Sequence, residues 1–379
     1  MKGFSQFLVE AETSQAAAQA KRLQLTSDGH GGWTDRTGKY VAKTEKGKLV
    51  FFKGRGKKGE EEPEAKRKPA PEPIKRKISP KQLEDPKVTK TKDPEFLKDK
   101  IKDCDGISIR TSKLSKEIID SAKNLKVISR HGVGYDTIDL KATKQNNITL
   151  AITATANAQA VAEHVLFMLF SIAKRNNMYN ETVKTGKFSD RTKLPKTIEL
   201  WNKSILIAGF GRIGKCLLKK CKGLEMNIFV YDPFVSEEEI KKVGGTKIND
   251  LNESLNKMDA ISIHMPLNEN TKHLINYEMI KKMKKNCILI NAARGGIINE
   301  EDLNKALNED LIFGAGLDVF EKEPPSLDNP LLKNEKAFLS PHSAVFTEEC
   351  LSRMGIETVQ NIIDFFDNKL EKSKIVKIS

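Results

Sequence analysis

Apolar and polar positions change their spacing three times along this chain of 379 residues. Near the start, Phe4, Phe7, Leu8 and Ala11 fall on one helical face, and Ala16 to Leu23 can continue a helix. After Gly29-His30-Gly31-Gly32, the run Trp33 to Phe52 predicts two or three short strands. Turns at Asp35-Arg36-Thr37-Gly38 and Glu45-Lys46-Gly47 separate them. Residues 1–54 therefore read as a small helix/β module. Residues 55–83 are lysine, glutamate and proline with almost nothing apolar, and cannot bury enough surface to offset the entropy of ordering. They predict a disordered linker.

From residue 84 the pattern becomes an alternation of apolar strands and amphipathic helices. Gly106 to Ile109, Val127 to Ser129 and Leu150 to Thr153 predict strands, and Ser115 to Ala122 and Ala160 to Lys174 helices. Ser204 to Ala208 is a continuous apolar strand, Ile213 to Gly223 a helix, and Asn227 to Tyr231 the next strand. Further strands follow at Ala260 to Ile263, Cys287 to Asn291, Gly314 to Asp318 and Ala337 to Leu339. Such alternation predicts an α/β fold, a mostly parallel sheet covered by helices on both faces.

Composition adjusts this picture in two places. The net charge is +14, with 24 basic and 15 acidic residues in the first hundred and 41 against 36 in the rest. Attraction to polyanions thus belongs mostly to the front of the chain, and since no aromatics interleave with the lysines and arginines of the linker, only weak, non-specific nucleic-acid contact is expected. The five cysteines (Cys104, Cys216, Cys221, Cys287, Cys350) are scattered and lack a Cys-x-x-Cys pair, which argues against a disulfide framework or a metal site. No secretory signal opens the chain and no apolar run is long enough for a membrane span, so a cytoplasmic protein is expected.

Gly209-Phe210-Gly211-Arg212-Ile213-Gly214 matches G-x-G-x-x-G in the context that gives it meaning: an apolar strand before, a helix after, and Asp232 ending the next strand. Glycines there allow a tight turn and let backbone N–H groups approach a pyrophosphate. A carboxylate at Asp232 would accept ribose hydroxyls and repel a 2′-phosphate, which favours NAD over NADP. Hydride chemistry on a hydroxyl then requires a base and a cation for an anionic substrate. Of the six histidines, His342 follows the strand Ala337 to Leu339 directly. By itself it carries no more weight than a structural histidine. Its companions are Arg294, just past a buried strand and suited to bidentate capture of a carboxylate, and the acidic pair Glu321 and Glu323 past another. Spacing does not say whether these groups converge.

Residues from about 95 to 379 resemble the D-isomer-specific 2-hydroxyacid dehydrogenases, including their phosphoglycerate-type members. The resemblance runs through Cys104-Asp-Gly106, Arg110-Thr111, Ser129-Arg-His-Gly132-Val-Gly134-Tyr-Asp136, Ala162-Glu-His164, Gly209 to Gly214 and Tyr231-Asp-Pro233. It continues through Asn291 to Gly296, Asp318 to Pro324 and Pro341-His342. It implies a Rossmann-type doubly wound NAD domain (183–315) inserted into a smaller flavodoxin-like substrate domain (84–182 and 316–379), a homodimer, and a small 2-hydroxy or 2-keto acid as substrate. Arg294 is implied to bind substrate, Glu323 to pair with His342 as the catalytic base, and Asp318 to meet the nicotinamide carboxamide. Arg110 and the amides near Val133 and Gly134 are implied substrate contacts. Cofactor contacts are expected at Gly209, Gly211, Arg212, Ile213, Gly214 and Asp232, and again at His264, Pro266, Ala292, Asp318, His342 and Ala344.

Two features depart from that pattern. Met265 stands where phosphoglycerate-type members often have threonine, and Lys81 to Lys92 reads poorly as the strand–helix unit with which the substrate domain should begin. A catalytically weak NAD-binding docking module is the alternative this leaves open. The front module resembles short segments fused to assorted enzymes in marine T4-like phages, in Gly29-His-Gly-Gly-Trp33 and Val41-Ala-Lys-Thr44. That resemblance implies a phage-encoded tether.

Overall fold

The computed structural model describes residues 93–378 and, ahead of them, four short strands. The chain divides into two compact units, residues 1–84 and 85–379. In the first, β1 (Thr26–Ser27), β2 (Gly32–Thr34), β3 (Tyr40–Glu45) and β4 (Lys48–Phe51) form an antiparallel sheet in sequential order. The pattern predicted two or three strands from Trp33 onward, and the extra one lies before the glycine run. The helix expected within residues 4–23 and the linker 55–83 lie outside the described residues.

The second unit has two lobes. The first begins with α1 (Pro94–Ile101) and β5 (Gly106–Ile109), then α2 (Lys116–Ser121), β6 (Val127–Arg130), α3 (Leu140–Gln145) and β7 (Thr149–Ile152). Its strands form a parallel sheet in the order β5-β6-β7. Among the described residues this sheet has three strands, and the expected opening strand–helix unit would fall before residue 93.

The chain then crosses on α4 (Ala158–Ala173) and α5 (Asn176–Lys184) to β8 (Ser204–Ala208) and α6 (Arg212–Gly223). Next come β9 (Asn227–Tyr231), α7 (Glu237–Lys242), β10 (Thr246–Ile248), α8 (Leu251–Ser254) and β11 (Ala260–Ile263). The lobe is completed by α9 (Tyr277–Lys281), β12 (Ile288–Asn291), α10 (Glu300–Asn308), β13 (Gly314–Leu317) and β14 (Ala337–Leu339). The strands lie parallel in the order β10-β9-β8-β11-β12-β13-β14. Order reverses at β8, and the crevice beyond the carboxyl ends of such strands is where open α/β sheets bind ligands. Every residue of β11, β12 and β13 is buried, as both-face coverage demands.

The lobe boundaries differ from the expected 183 and 315. Val161, Val165, Met168 and Leu169 of α4 share one core with Ile205, Ile207 and Leu217, so α4 belongs to the large sheet although it precedes residue 183. Both β13 and β14 extend that sheet past residue 315. Helix α11 (Glu348–Phe366) then returns to pack on β5, β6 and β7, where the Cβ a side chain would add at Gly106 would lie 2.9 Å from Ile362 Cγ2. Among the described residues, no helix is long and apolar enough to cross a membrane.

Candidate active site

The turn after β8 is shaped by close main-chain approach. Gly209 has φ +103°, and a side chain there would put its Cβ 2.5 Å from the His264 carbonyl oxygen. One at Gly214 would overlap the Gly209 carbonyl. Gly211, the N-cap of α6, has nothing within 4 Å of the same position. The turn thus has two glycines that the protein's own backbone demands and one that faces open space. Asp232 supports it: Oδ2 accepts from Phe210 N–H (2.7 Å) and Oδ1 from Phe234 N–H (2.9 Å). Beside the turn, His264 accepts or donates at Nε2 with Ser262 Oγ (2.8 Å), while Nδ1 is buried without a partner. Burial depresses its pKa to about 4 and keeps the ring neutral. An open glycine at a helix N-terminus, an acidic residue at the next strand end and an orphaned ring nitrogen together suit a dinucleotide.

The other residues expected to meet a cofactor are held in different ways. Ile213 packs into the core beneath the turn, and Ala292 and Ala344 are buried. The Pro266 carbonyl accepts from Thr271 Oγ1 (2.7 Å), which ties its loop closed. Arg212 is exposed and donates from Nη2 to the Ser373 carbonyl (3.2 Å).

Three distant stretches meet at the mouth of the crevice. His342 adopts φ +51°, and its Nδ1 lies 2.7 Å from Glu323 Oε2. Glu323 Oε1 accepts from Phe320 N–H (3.1 Å), so the carboxylate is held from both sides. The hydrogen bond to Glu323 raises the His342 pKa above its usual 6.5, outweighing burial, which opposes it. Burial pushes Glu323 up, yet the bond and charge of His342 bring its pKa below the ordinary carboxylate value. Glu321, two residues earlier, turns away: it sits 3.2 Å from His273 Nε2 and accepts from Glu300 N–H. Arg294 reaches into the first lobe, where Nε lies 3.2 Å from Asp136 Oδ2 and Nη2 fills the space a side chain on Gly134 would need. Its charge acts on both Glu323 and His342. The arginine, the glutamate and the histidine do converge.

Val133 and Gly134 lie on the loop opposite, anchored by Gly132 N–H donating to Thr153 Oγ1 (2.8 Å). Arg110 stacks over the Phe346 ring at 5.3 Å rather than joining the three. Arg130 and Asp136 both lie in the Ser129 to Asp136 string, where their sequence context marks no role for either. Arg130 packs under Gly132, bonds the His131 carbonyl, and leaves Nε buried and unpartnered. Burial and the neighbouring Arg294 lower its pKa to about 10. Asp136 is the carboxylate that acts on the Arg130 charge, against the like charges of Arg294 and Arg110, so the loop carries a positive balance. Among the described residues, no His/Cys/Asp/Glu group could hold a metal ion.

A doubly wound lobe faces a smaller lobe across an Arg–Glu–His cluster, and comparison with known proteins places the chain in a family. Residues 166–344 match the family described as D-isomer specific 2-hydroxyacid dehydrogenase, NAD binding domain. D-3-phosphoglycerate dehydrogenase of Methanocaldococcus jannaschii is 39% identical over 269 residues, covering 71% of this chain and 51% of that protein. Hydroxypyruvate reductase of Thermotoga maritima is 36% identical over 265 residues, covering 69% of this chain and 85% of that protein. Among solved structures, D-lactate dehydrogenase from Aquifex aeolicus complexed with NAD and lactic acid aligns with a TM-score of 0.66 at 30% identity, covering 74% and 88% of the two chains. The chain belongs to the D-isomer specific 2-hydroxyacid dehydrogenase family and carries its NAD-binding domain. It spans about half the length of the phosphoglycerate dehydrogenases it matches.

Proposed function

We propose that this protein interconverts a small D-2-hydroxy acid and its 2-keto acid with NAD. The observation that carries the reading is the His342–Glu323 pair, 2.7 Å apart, under the charge of Arg294. The nicotinamide, when bound, exchanges the hydride. Arg294 and the amides of Val133 and Gly134 hold the substrate's carboxylate and carbonyl oxygens. His342 Nδ1 is engaged by Glu323, so Nε2 is the nitrogen that takes the hydroxyl proton in oxidation and returns it in reduction. Glu323 fixes that tautomer and stabilises the imidazolium as it forms. Asp232 disfavours a 2′-phosphate, and Asp318, buried beside the site, receives the carboxamide. The surplus of guanidinium groups around Gly132 to Gly134 supports a substrate with a second anionic group, and 3-phosphoglycerate fits that description.

The test is NADH titration of the full chain followed by a panel of glyoxylate, pyruvate, hydroxypyruvate and 3-phosphohydroxypyruvate. Oxidation of NADH with one of them, lowered at least ~100-fold in His342→Ala, is the expected result. Binding of NADH without turnover of any 2-keto acid would leave only a docking module.

An apolar surface supports a homodimer as the working form. Phe167 and Phe170 on α4, Val183 on α5 and Phe188 are exposed, with Phe167, Val183 and Phe188 each more than half accessible. Sedimentation at micromolar concentration checks this. The tether role of residues 1–54 rests on their phage-type sequence resemblance.

A further inference from the structure

Helix α4 runs through the core with an apolar buried face, yet carries a histidine at its centre. His164 does not face solvent: its side chain is 15% exposed and points at the ends of β13 and β14. Its Nε2 lies 2.9 Å from Ser340 Oγ and 3.4 Å from Asp318 Oδ1. Ser340 in turn donates to Asp318 Oδ1 at 2.6 Å, a short bond of the charge-assisted kind. A serine hydroxyl has one proton. With that proton committed to Asp318, Ser340 Oγ can only accept from His164, so Nε2 carries the hydrogen.

The chain of donors ends on a particular oxygen. Asp318 Oδ1 receives Ser340 Oγ–H and Ser343 N–H (2.8 Å), while Oδ2 receives only Ala344 N–H (3.0 Å). The carboxylate is 1% exposed, so these bonds decide how it stands. Oδ1 is thus filled by Ser340 and Ser343, and Oδ2 keeps a free lone pair. Ser340 is also two residues ahead of His342, whose left-handed backbone has to be held in place by its surroundings.

We propose that His164 is a positioning residue, which through Ser340 presents Asp318 Oδ2 to the nicotinamide end of the cofactor. This rests on the NAD reading of the crevice given above. No other residue of α4 reaches that carboxylate by a hydrogen bond, so the helix contributes to the site through this one ring. His164 touches neither the reacting atoms nor the adenosine half of the crevice.

The experiment compares binding of NADH with binding of ADP-ribose, which has the same pyrophosphate and adenosine but no nicotinamide, in the full chain. His164→Leu is expected to weaken NADH about tenfold, the worth of one hydrogen bond, and to leave ADP-ribose within about twofold. His164→Gln, whose amide nitrogen reaches nearly as far as Nε2, is expected to restore most of the NADH affinity. Ser340→Ala should reproduce the leucine variant's selectivity. Equal weakening of both ligands in His164→Leu would reveal a general packing role and overturn the proposal, as would no weakening of either. Retained ADP-ribose binding shows that a variant is folded. Failure of the unmodified protein to bind NADH would instead remove the NAD reading itself.

Discussion

In the nucleotide lobe a methyl group on Gly209 or Gly214 would strike main-chain oxygen, whereas in the smaller lobe one on Gly134 would meet the Arg294 guanidinium. Main chain in a packed turn cannot retreat, but an arginine side chain can swing aside. The first set of glycines is therefore required for folding, and Gly134 is required for placing a charge. Gly211 belongs to neither set, since its surroundings are empty. The two sides of the crevice are thus held differently: the glycine turn by main-chain contact alone, the loop at Gly134 by an ionic side chain as well.

Substitutions at these glycines can break that contrast. The largest effect is expected from Gly214→Val, which overlaps the Gly209 carbonyl and should cost about 3 kcal/mol of stability by denaturant unfolding, with loss of NADH binding. Unchanged stability there would erase the distinction. Gly134→Ala should displace Arg294 and raise the KM for the 2-keto acid about tenfold, the loss of one hydrogen bond to a charged group. Its unfolding free energy should stay within about 0.5 kcal/mol of the parent, as for a change that strains no backbone. Gly211→Ala should weaken NADH roughly fivefold by crowding one backbone contact, again with unaltered stability.

The smallest effect concerns pH. Glu323 holds the His342 pKa above 6.5, so hydroxy-acid oxidation, which needs neutral His342, should rise with pH through a midpoint above that value. Keto-acid reduction, which needs the imidazolium, should fall through the same midpoint. In Glu323→Gln the largest raising influence is gone, burial and Arg294 still oppose the charge and only the weaker pull of Asp318 favours it, so the midpoint moves down. A pH–rate profile in each direction checks the sign.

Much of this was legible before any coordinates. The strand Ser204 to Ala208 and the strand Asn227 to Tyr231 appear with the predicted ends, because buried parallel strands read as unbroken apolar runs. Short elements such as β10 and α8 escaped, since three or four residues do not establish a period. The glycine turn and its acidic partner are local in sequence, so spacing alone marked them. Arg130 was quoted in a motif but carried no signal of being a buried, half-partnered guanidinium, for burial is a property of the assembled lobe.

Local chemistry in the chain thus marked the glycine turn with its acidic partner and the types of charged residue at hand near the strand ends. Tertiary structure decided which of them meet. It chose Glu323 over Glu321 for His342, brought Arg294 against Gly134 and Asp136 from 158 positions away, and gave α4 to the nucleotide lobe. Such pairings depend on how elements distant in sequence pack, and a one-dimensional pattern holds no term for distance between them.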